Sequence, residues 1–467
     1  MVYGIEDVVA GGLCVGCGAC SVATSGAIPI TIGRRQSFEA SLAGVSEPDL
    51  RRASGVCPFS DESENEDRIA ARVLPPGTPT DERIGGYRQI AAARVTDSGW
   101  LLGSSSGGLT SWTAVKLLER GDVQGIIHVR PDVTGDGLFS YQVSHSVEAF
   151  RSHRKSMYYS TSFADALQAI RGDGRRYAFI GVPCFIRAAR LLCDADEPLR
   201  NQLAFFLGLV CGHLKSFGFA ESLAWQVGVD PARLGAVDFR VKVPGRSSSS
   251  YDFGARARGA HELITRSTGS LVGGSWGHGA FQLNACNYCD DIFAETADVA
   301  FGDAWLPQYK EDWRGTNVVI TRNPVIDAIL HRGVAAGELT LESLTIDEVA
   351  ASQAGNFRHR RDGLSVRLAD DVALGVPIPR KRVGPGSRPV SRARVRMIRT
   401  RREMSARSQE LFSEAKSPQS LQFYLDGMTT LIAQYRRAEM RALPLWRQAA
   451  RVAHRALRRR TRSPGNW

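Results

Sequence analysis

Two cysteines separated by two residues stand in the stretch CNYCDDIFAETADVAFGDAW. Cys286 and Cys289 form this C-x-x-C pair, and the acidic residues Asp290 and Asp291 follow at once. The apolar run 297–301 then predicts a short buried strand. A C-x-x-C pair is either half of a metal site or a redox dithiol. A thioredoxin-like dithiol opens a helix directly after a strand, whereas this pair precedes a strand, so we favour half of a metal or cluster site.

A second cysteine motif lies near the start of the chain. Cys14, Cys17 and Cys20 have C-x-x-C-x-x-C spacing, and Cys57 with Pro58 follows after 36 intervening residues. Three closely spaced cysteines and a distant Cys-Pro are typical of the ligands of a 4Fe-4S cluster. The alternative is a structural zinc site with four cysteine ligands, although zinc sites usually use two separated pairs.

Two more cysteines each follow a predicted strand. Cys184 comes after the run 176–180, and Cys211 comes after the run 204–210. Open α/β sheets keep their sites at the carboxyl ends of the strands. Together with the C-x-x-C pair, these residues make a second set of four thiols. Only Cys193 is left over, and we predict that it is an inert core residue.

The elements that must position these cysteines predict an α/β (α+β) fold with a mostly parallel sheet. Run 87–95 predicts a strand, residues 103–108 a glycine-rich loop, 109–120 a helix and 125–129 a buried strand, which together form a βαβ unit. His128, in the last of these strands, is predicted to be a core histidine. The C-terminal half adds strands at 234–242 and 316–321, and helices at 325–338 and 346–355.

Two loops are candidates for binding a phosphate-bearing cofactor. The glycine-rich loop stands at a predicted helix N-terminus, where backbone N–H groups favour anions; the alternative is that it only caps the helix. The polar loop 152–162 is the second candidate, against the alternative of a solvated loop. The predicted cofactor-binding residues are Ser105, Ser106, Gly107, Gly108, Lys155 and Tyr159. The catalytic residue is unknown: His213, Lys155 and Tyr159 lie in suitable loops, but each has an equally good structural explanation.

Composition and charge exclude several classes of protein. Apolar residues make up 43% of the 467 residues, which predicts a globular protein with a sizeable core. No apolar run reaches the ~20 residues of a membrane-spanning helix. The start of the chain lacks the features of a signal peptide, so we expect a cytoplasmic protein. Disulfides are rare in that compartment, which favours metal or redox roles for the cysteines.

The excess of positive charge belongs to the C-terminal tail. Residues 380–467 hold 22 Lys and Arg against 5 Asp and Glu, whereas residues 1–379 hold 37 against 43. Segment 435–460 repeats Arg beside apolar residues, a pattern that predicts contact with an anionic membrane surface at the inner face of the membrane. The alternative is that the tail docks on the acidic body or pairs two subunits. We expect no nucleic-acid partner.

These patterns divide the chain into four parts. Residues 1–80 are predicted to form a small iron–sulfur module, followed by a core at 85–345, a helical connection at 346–379 and a basic, partly helical tail at 380–467. Residues 61–84 and 380–396 are predicted to be linkers.

The order and spacing of these motifs over residues 11–345 resemble the coenzyme F-420 hydrogenase/dehydrogenase beta subunit family. The resemblance rests on both cysteine sets, on the loop Ser105-Ser106-Gly107-Gly108 and on Gly302-Asp303. It implies an FAD enzyme with 4Fe-4S clusters, in which the four later cysteines hold one cluster near the flavin and the N-terminal set holds a second. It also implies that the serine-glycine loop lies at the flavin.

The resemblance implies an oxidoreductase that passes electrons between a carrier and a substrate. The expected carrier is a deazaflavin (F-420) or a ferredoxin-type protein. The expected substrate is a small molecule or a glycan-linked one, which includes a role in polysaccharide biosynthesis. Two alternatives stay open: an electron-transfer subunit with no substrate of its own, and a zinc-stabilised binding protein.

Overall fold

An eight-stranded mixed sheet forms the centre of the computed structural model, which describes residues 2–132 and 137–443. The described strands are β1 (Ile30–Ile32), β2 (Phe38–Ala40), β3 (Thr80–Asp81), β4 (Gly85–Gly86), β5 (Gln89–Val95), β6 (Gly125–Pro131), β7 (Phe139–Ser144), β8 (Tyr177–Gly181), β9 (Leu203–Leu209), β10 (Leu234–Val241), β11 (Asp252–Ala257), β12 (Ile264–Ser267), β13 (Val299–Asp303), β14 (Asn317–Thr321) and β15 (Leu339–Ser343).

The strand order of the large sheet is β15-β5-β14-β13-β9-β8-β6-β7. Strands β6, β8, β9 and β13 are parallel neighbours, and the remaining pairs are antiparallel. Strand β5 points the same way as these four, so five of the eight strands share one direction. The predicted α/β class with a mostly parallel sheet is confirmed. Strands β10, β11 and β12 form a separate antiparallel sheet.

Helices cover both faces of the large sheet. The α-helices are α1 (Ile5–Ala10), α2 (Ala19–Ala23), α3 (Glu47–Val56), α4 (Glu66–Val73), α5 (Ser98–Leu102), α6 (Leu109–Glu119), α7 (Val147–Arg151), α8 (Ala164–Ile170), α9 (Pro183–Ala195), α10 (Glu197–Gln202), α11 (Phe217–Gln226), α12 (Pro307–Lys310), α13 (Pro324–Ala335), α14 (Ile346–Ser352), α15 (Ala354–Phe357), α16 (Gly363–Ala373), α17 (Arg392–Lys416) and α18 (Leu421–Ala442). One π-helical turn, Arg358–Asp362, joins α15 to α16.

The central strands are apolar along their whole length because both of their faces are buried. In β8, Ala178 packs on the side of α6 and α13, whereas Phe179 packs on the side of α9. In β9, Phe205 likewise packs on the side of α6 and α13, and Phe206 packs on the side of α9. The sheet therefore separates two hydrophobic cores.

The N-terminal segment packs directly on the α9 face of the sheet. Val8, Leu13 and Val22 belong to the same buried cluster as Phe163 and Leu192. The division of the chain at residues 80, 345 and 379 stays a prediction, since shared packing does not by itself fix a domain boundary.

The sequence-based prediction of a linker at 61–84 is wrong in its middle. Helix α4 occupies this stretch, begins at its N-cap Asn65 and buries Ile69 completely. The Asn65 side chain accepts a hydrogen bond from the Arg68 N–H at 3.1 Å, an ordinary N-cap contact. The helix was not predicted because the stretch is mostly polar. Only one side of α4 packs on the protein, so few apolar residues mark it in the sequence.

The described part of the C-terminal tail is a pair of helices docked on the body. Helix α17 begins at Arg392, inside the stretch predicted to be a linker. Helices α17 and α18 bury Phe412, Tyr424 and Met428 in one cluster with Phe281. In the part of the chain that the structure describes, no helix combines the length and apolar character needed to cross a bilayer. The segment predicted to contact an anionic membrane surface, residues 435–460, lies outside the described residues from position 444 onward.

Other differences from the sequence-based prediction concern strands. The predicted βαβ unit is present as β5, α6 and β6, but β14, β13, β9 and β8 lie between its two strands. Strand β15 was not predicted, because its alternating residues at the sheet edge resemble the end of the preceding helix. Strands β7, β11 and β12 were also missed.

We expect Gly208→Ala to destabilise the protein by about 1–3 kcal/mol, since it overpacks the core. A Cβ atom at this position of β9 would lie 2.5 Å from Cβ of Ala294 and 2.9 Å from Cβ of Ala297. Gly55→Ala in α3 is the control, because nothing lies within 4 Å of its added Cβ. Urea unfolding of both variants measures the effect; equal stability of Gly208→Ala and the unmodified protein would contradict this account of the packing.

We expect His128 to make the protein less stable as the pH falls below 6.5. Its Nε2 lies 2.9 Å from Oγ of Ser144 in a buried position. Burial, aided by the charges of Arg130 and His153, lowers its pKa from 6.5 to about 3. The folded state therefore resists protonation, and the contribution is fully present above pH 6.5 and decreases toward pH 3. At pH 5 the loss is about 2 kcal/mol.

The measurement is the urea midpoint at pH 7 and pH 5. In His128→Gln this part of the pH dependence should disappear, although the variant is less stable at both values. The control His331→Gln, at an exposed position, should keep the pH dependence of the unmodified protein. The same pH dependence in His128→Gln would contradict the assignment.

Candidate functional site

Four cysteines near the N-terminus face one another, and we call them the first cysteine group: Cys14, Cys17, Cys20 and Cys57. Cys14 and Cys17 precede α2, Cys20 lies in α2, and Cys57 follows α3. Burial raises the pKa of every thiol in the group, and the other thiols raise it further for Cys17 and Cys20; the pKa of Cys57 reaches about 12. A thiolate at any of these four positions therefore needs positive charge or hydrogen bonds nearby.

Backbone N–H groups point at the sulfur atoms of the first cysteine group. The N–H of Gly16 lies 3.4 Å from Sγ of Cys14, and the N–H of Ala40 in β2 lies 3.3 Å from it. Glycine is needed at position 16, because its φ is +67° and a Cβ atom would lie 2.4 Å from the Phe38 carbonyl oxygen. The loop can therefore approach β2 closely enough to present these donors.

The four later cysteines make the second cysteine group: Cys184, Cys211, Cys286 and Cys289. Cys184 lies in the first turn of α9 and Cys211 lies two residues after β9, so both follow strands as predicted, at a short distance. Cys286 lies in a 3-10 turn, Asn284–Asn287. Burial raises the pKa of each thiol, and for Cys184 the other three thiols raise it further. The Leu214 N–H donates to Sγ of Cys286 at 3.2 Å.

The two cysteine groups are neighbours. Among the charges that raise the pKa of Cys184 is Cys17 of the first group. Tyr141 lies near both: burial raises its pKa, and Cys184 and Cys17 raise it further. Its ring stacks on Phe179 at 5.5 Å and on Phe185 at 5.7 Å. Aromatic side chains therefore pack close to both groups.

Cys193 is separate from both groups. Its thiol is buried in α9 and donates a hydrogen bond to the Leu199 carbonyl oxygen at 3.8 Å. Burial raises its pKa to about 12. Within the described residues, no three His, Cys, Asp or Glu side chains have the geometry of a site for one metal ion.

A cavity of about 730 Å³ lies beside the second cysteine group. Cys211 is in its wall, together with the loop before α6, the loop 153–159 and the strand ends of β9 and β13. Five of the six predicted cofactor-binding residues line it: Ser105, Ser106, Gly108, Lys155 and Tyr159. The sequence could not indicate that the serine-glycine loop and the polar loop 152–162 line the same cavity.

The sixth predicted residue, Gly107, lies behind the wall. A Cβ atom there would lie 2.8 Å from Oδ1 of Asn317 and 2.9 Å from the Ala93 carbonyl oxygen, so the loop packs directly on β5 and β14. Nζ of Lys242 donates to the carbonyl oxygens of Leu101 and Ser106, both at 2.8 Å. The serine-glycine loop is therefore fixed in place from the other side.

The cavity wall carries several cations: the predicted residue Lys155, its neighbour Arg154, and Arg240, which no sequence pattern marked. Arg240 is buried and donates to both oxygens of Asp303, at 2.8 and 3.1 Å. The guanidinium of Arg154 lies 4.4 Å from the ring centre of Trp100, and its Nη1 has no hydrogen-bond partner among the described residues. Lys155 pairs with Asp238 at 3.1 Å. A cavity wall of this charge favours an anionic ligand.

Three residues, His213, Lys155 and Tyr159, lie in loops suited to proton transfer. Among them, only His213 lines the cavity with a polar side-chain atom that has no hydrogen-bond partner in the described chain. Its Nε2 is buried without a hydrogen-bond partner in the described chain, and its ring stacks on Trp276 at 4.1 Å. Burial and then Lys215 lower its pKa, so the ring is neutral. Tyr159 stacks on Phe217 at 4.6 Å and accepts a hydrogen bond from a backbone N–H, which is a structural role.

Comparison with curated proteins gives no match. Among solved structures, a chain of the F420-reducing NiFe hydrogenase complex from Methanosarcina barkeri, in its xenon derivative, is similar to this chain. The sequence identity is 18% and the TM-score is 0.49. The match covers 64% of this chain and 99% of that chain.

Two sequence models of one family match consecutive parts of the chain. The model of the N-terminal part of the coenzyme F420 hydrogenase/dehydrogenase beta subunit matches residues 90–168, and that of its C-terminal part matches residues 174–347. Together they cover more than half of the chain, including the cavity loops and all of the second cysteine group. Hydrogenases and dehydrogenases are oxidoreductases, so the match supports a role in electron transfer. The chain belongs to the coenzyme F420 hydrogenase/dehydrogenase beta subunit family.

Proposed function

We propose that the chain is an iron–sulfur flavoprotein oxidoreductase with two 4Fe-4S clusters and one FAD. It passes electrons between a redox carrier, coenzyme F420 or a ferredoxin-type protein, and a small-molecule substrate. The observation that carries the proposal is the place of Cys211, which belongs to the second cysteine group and also lines the cavity. A cluster held by that group would adjoin the ligand of the cavity.

The donor sets of both cysteine groups fit iron–sulfur clusters. Each group offers four thiols, the ligand number of a 4Fe-4S cluster. N–H groups directed at Cys14 and Cys286 are the hydrogen bonds that stabilise ligating thiolates. A bound cluster accepts and releases single electrons. The protein's own residues would hold the sulfur atoms in position and keep water away from them.

The cavity residues fit a flavin dinucleotide. Ser105, Ser106, Gly107 and Gly108 precede the 11-residue helix α6, whose N-terminal N–H groups favour a phosphate. The unpaired Nη1 of Arg154 offers an anion a further donor. A cavity of about 730 Å³ lies within the usual size range of cofactor sites. A flavin converts two-electron hydride chemistry into single electrons, which clusters then carry.

The alternative is an electron-transfer subunit with no substrate of its own. Turnover of a substrate by the purified chain with reduced carrier separates the two: activity of the chain alone supports the enzyme, and activity only with a second subunit supports the alternative. No feature of the described cavity residues favours a glycan-linked substrate, so the proposal does not include one.

The proposed cofactors are tested by the visible spectrum of anaerobically purified protein. A cluster flavoprotein absorbs broadly near ~400 nm, with flavin shoulders. Iron, acid-labile sulfide and flavin are then counted per chain. A colourless protein that contains zinc would contradict the proposal and favour the zinc-stabilised binding protein.

We expect Cys286→Ser to remove about one cluster of iron and sulfide, because the second cysteine group loses a ligand and metal binding is coupled to local folding. Flavin retention should also fall, since Cys211 lies in the cavity wall. Cys57→Ser should remove the other cluster and leave flavin bound, because the cavity lining begins at Ser104. Cys193→Ala is the matched control and should keep all cofactors. Unchanged iron in Cys286→Ser would contradict the ligand assignment.

We expect Lys155→Met to lower the amount of flavin that copurifies with the chain, because the cavity loses a cation from its wall. Lys310→Met removes the same charge from an exposed position and should retain flavin. Flavin is measured fluorometrically after denaturation, with iron content as a check on integrity. The same flavin content in both variants would show that Lys155 does not bind it.

A further inference from the structure

The chain beyond the family match carries a buried arginine that contacts the second cysteine group. The family match ends at residue 347, and Arg360 follows in the π-helical turn Arg358–Asp362. Its guanidinium donates through Nη1 to Sγ of Cys289 and through Nη2 to the Gly212 carbonyl oxygen at 3.0 Å. The side chain is only 1% exposed.

The hydrogen bonds of Arg360 go to the sulfur atom of Cys289 and to the carbonyl oxygens of Asp291 and Gly212, and the nearby thiols and the Asp291 carboxylate stabilise its charge. Within the described residues, it forms no ion pair with Asp or Glu. A buried cation is costly unless an anion or several acceptors stabilise it. The guanidinium lies close enough to interact electrostatically with Cys211 and Cys286 as well as with Cys289.

Local backbone geometry explains how the arginine reaches the cysteines. The sequence Arg358-His359-Arg360-Arg361-Asp362 resembles a solvated helical face, and no sequence pattern marks one member as buried. The wide turn of a π-helix shifts the face that the following residues present, and such turns are frequent at functional sites. Arg360 is buried, whereas His359 and Arg361 are half-buried and Arg358 is exposed.

A second arginine supports the same environment from the docked tail. Arg401 of α17 brings a further positive charge close to Cys286. Its guanidinium contacts the His359 ring, with Nη1 2.6 Å from Nδ1. Arg360 and Arg401 therefore place positive charge beside the second cysteine group, whereas Asp290 and Asp291 place negative charge beside Cys289.

We propose that Arg360 is a positioning residue that raises the midpoint potential of the cluster held by the second cysteine group. The inference rests on the proposed function, since it assumes that this group binds a 4Fe-4S cluster. Reduction adds one electron to the cluster, and a nearby cation in a medium of low dielectric constant stabilises the reduced form more than the oxidised form. The hydrogen bond to sulfur acts in the same direction.

The test is a redox titration of anaerobically purified full-length protein, followed by electron paramagnetic resonance. The step that belongs to the second cysteine group is identified by its absence from Cys286→Ser. Arg360→Gln and Arg360→Met remove the charge, whereas Arg360→Lys keeps it. The matched control is Arg399→Gln, which removes an exposed charge of α17 that pairs with Asp370 of α16.

We expect both uncharged variants to lower the potential of this step by at least the equivalent of a tenfold change in the reduction equilibrium, about 59 mV for one electron. Arg360→Lys should lie nearer the unmodified protein, and Arg399→Gln should equal it. Loss of the cluster from the uncharged variants alone, with Arg360→Lys retaining it at the unmodified potential, also supports a requirement for the charge.

An unchanged potential in a cluster-loaded uncharged variant would overturn the inference and leave the proposed function standing. Loss of the cluster from all three variants at Arg360 would also overturn it, since the role would then be purely structural. Absence of iron from the unmodified protein would overturn the proposed function as well, so the two failures are distinguishable.

Discussion

The structure depends on the pairing of buried ionised side chains with groups of opposite charge. An isolated buried charge is far less stable than a paired one, so each buried ion constrains the position of its partner. Arg382 shows this: its Nη atoms contact both oxygens of Glu295 at 2.7 and 2.9 Å. Burial raises the pKa of the neighbouring Asp290, but Lys381 and Arg382 outweigh burial and bring it to about 2. These pairs tie the start of the basic tail to the loop that follows the C-x-x-C pair.

The same constraint explains why the tail is part of the body rather than a free basic arm. Arg402 of α17 contacts Asp371 at 2.8 Å and the hydroxyl of Tyr288 at 2.9 Å. Tyr288 lies between Cys286 and Cys289, so the tail contacts the cysteine loop itself. The described part of the tail therefore pairs several of its cations with the body, and its apolar residues complete the core beside α11.

The neighbouring positions of the two cysteine groups and the cavity give the proposed electron route its physical basis. Single electrons move between redox centres that lie close together, and Tyr141, stacked on Phe179 and Phe185, lies near both groups. Lys242 and Asn317 hold the serine-glycine loop at the other side of the cavity. Residues far apart in the chain thus define one compact site, and the C-terminal extension adds the charge of Arg360 to it.

The sequence by itself determined many of the local elements and predicted the cysteine partition. Apolar runs predicted β5, β6, β8 and β9 because central strands are buried on both faces, and spacing separated two groups of four cysteines from Cys193. Tertiary structure decided what depends on contacts across the sheet: that the βαβ strands are separated by four others, and that the two candidate loops share one cavity. It also decided which arginine is buried. Three of the five residues in the run 358–362 are arginines, and only the path of the π-helical turn selects Arg360, a choice that no local pattern of charge or hydropathy encodes.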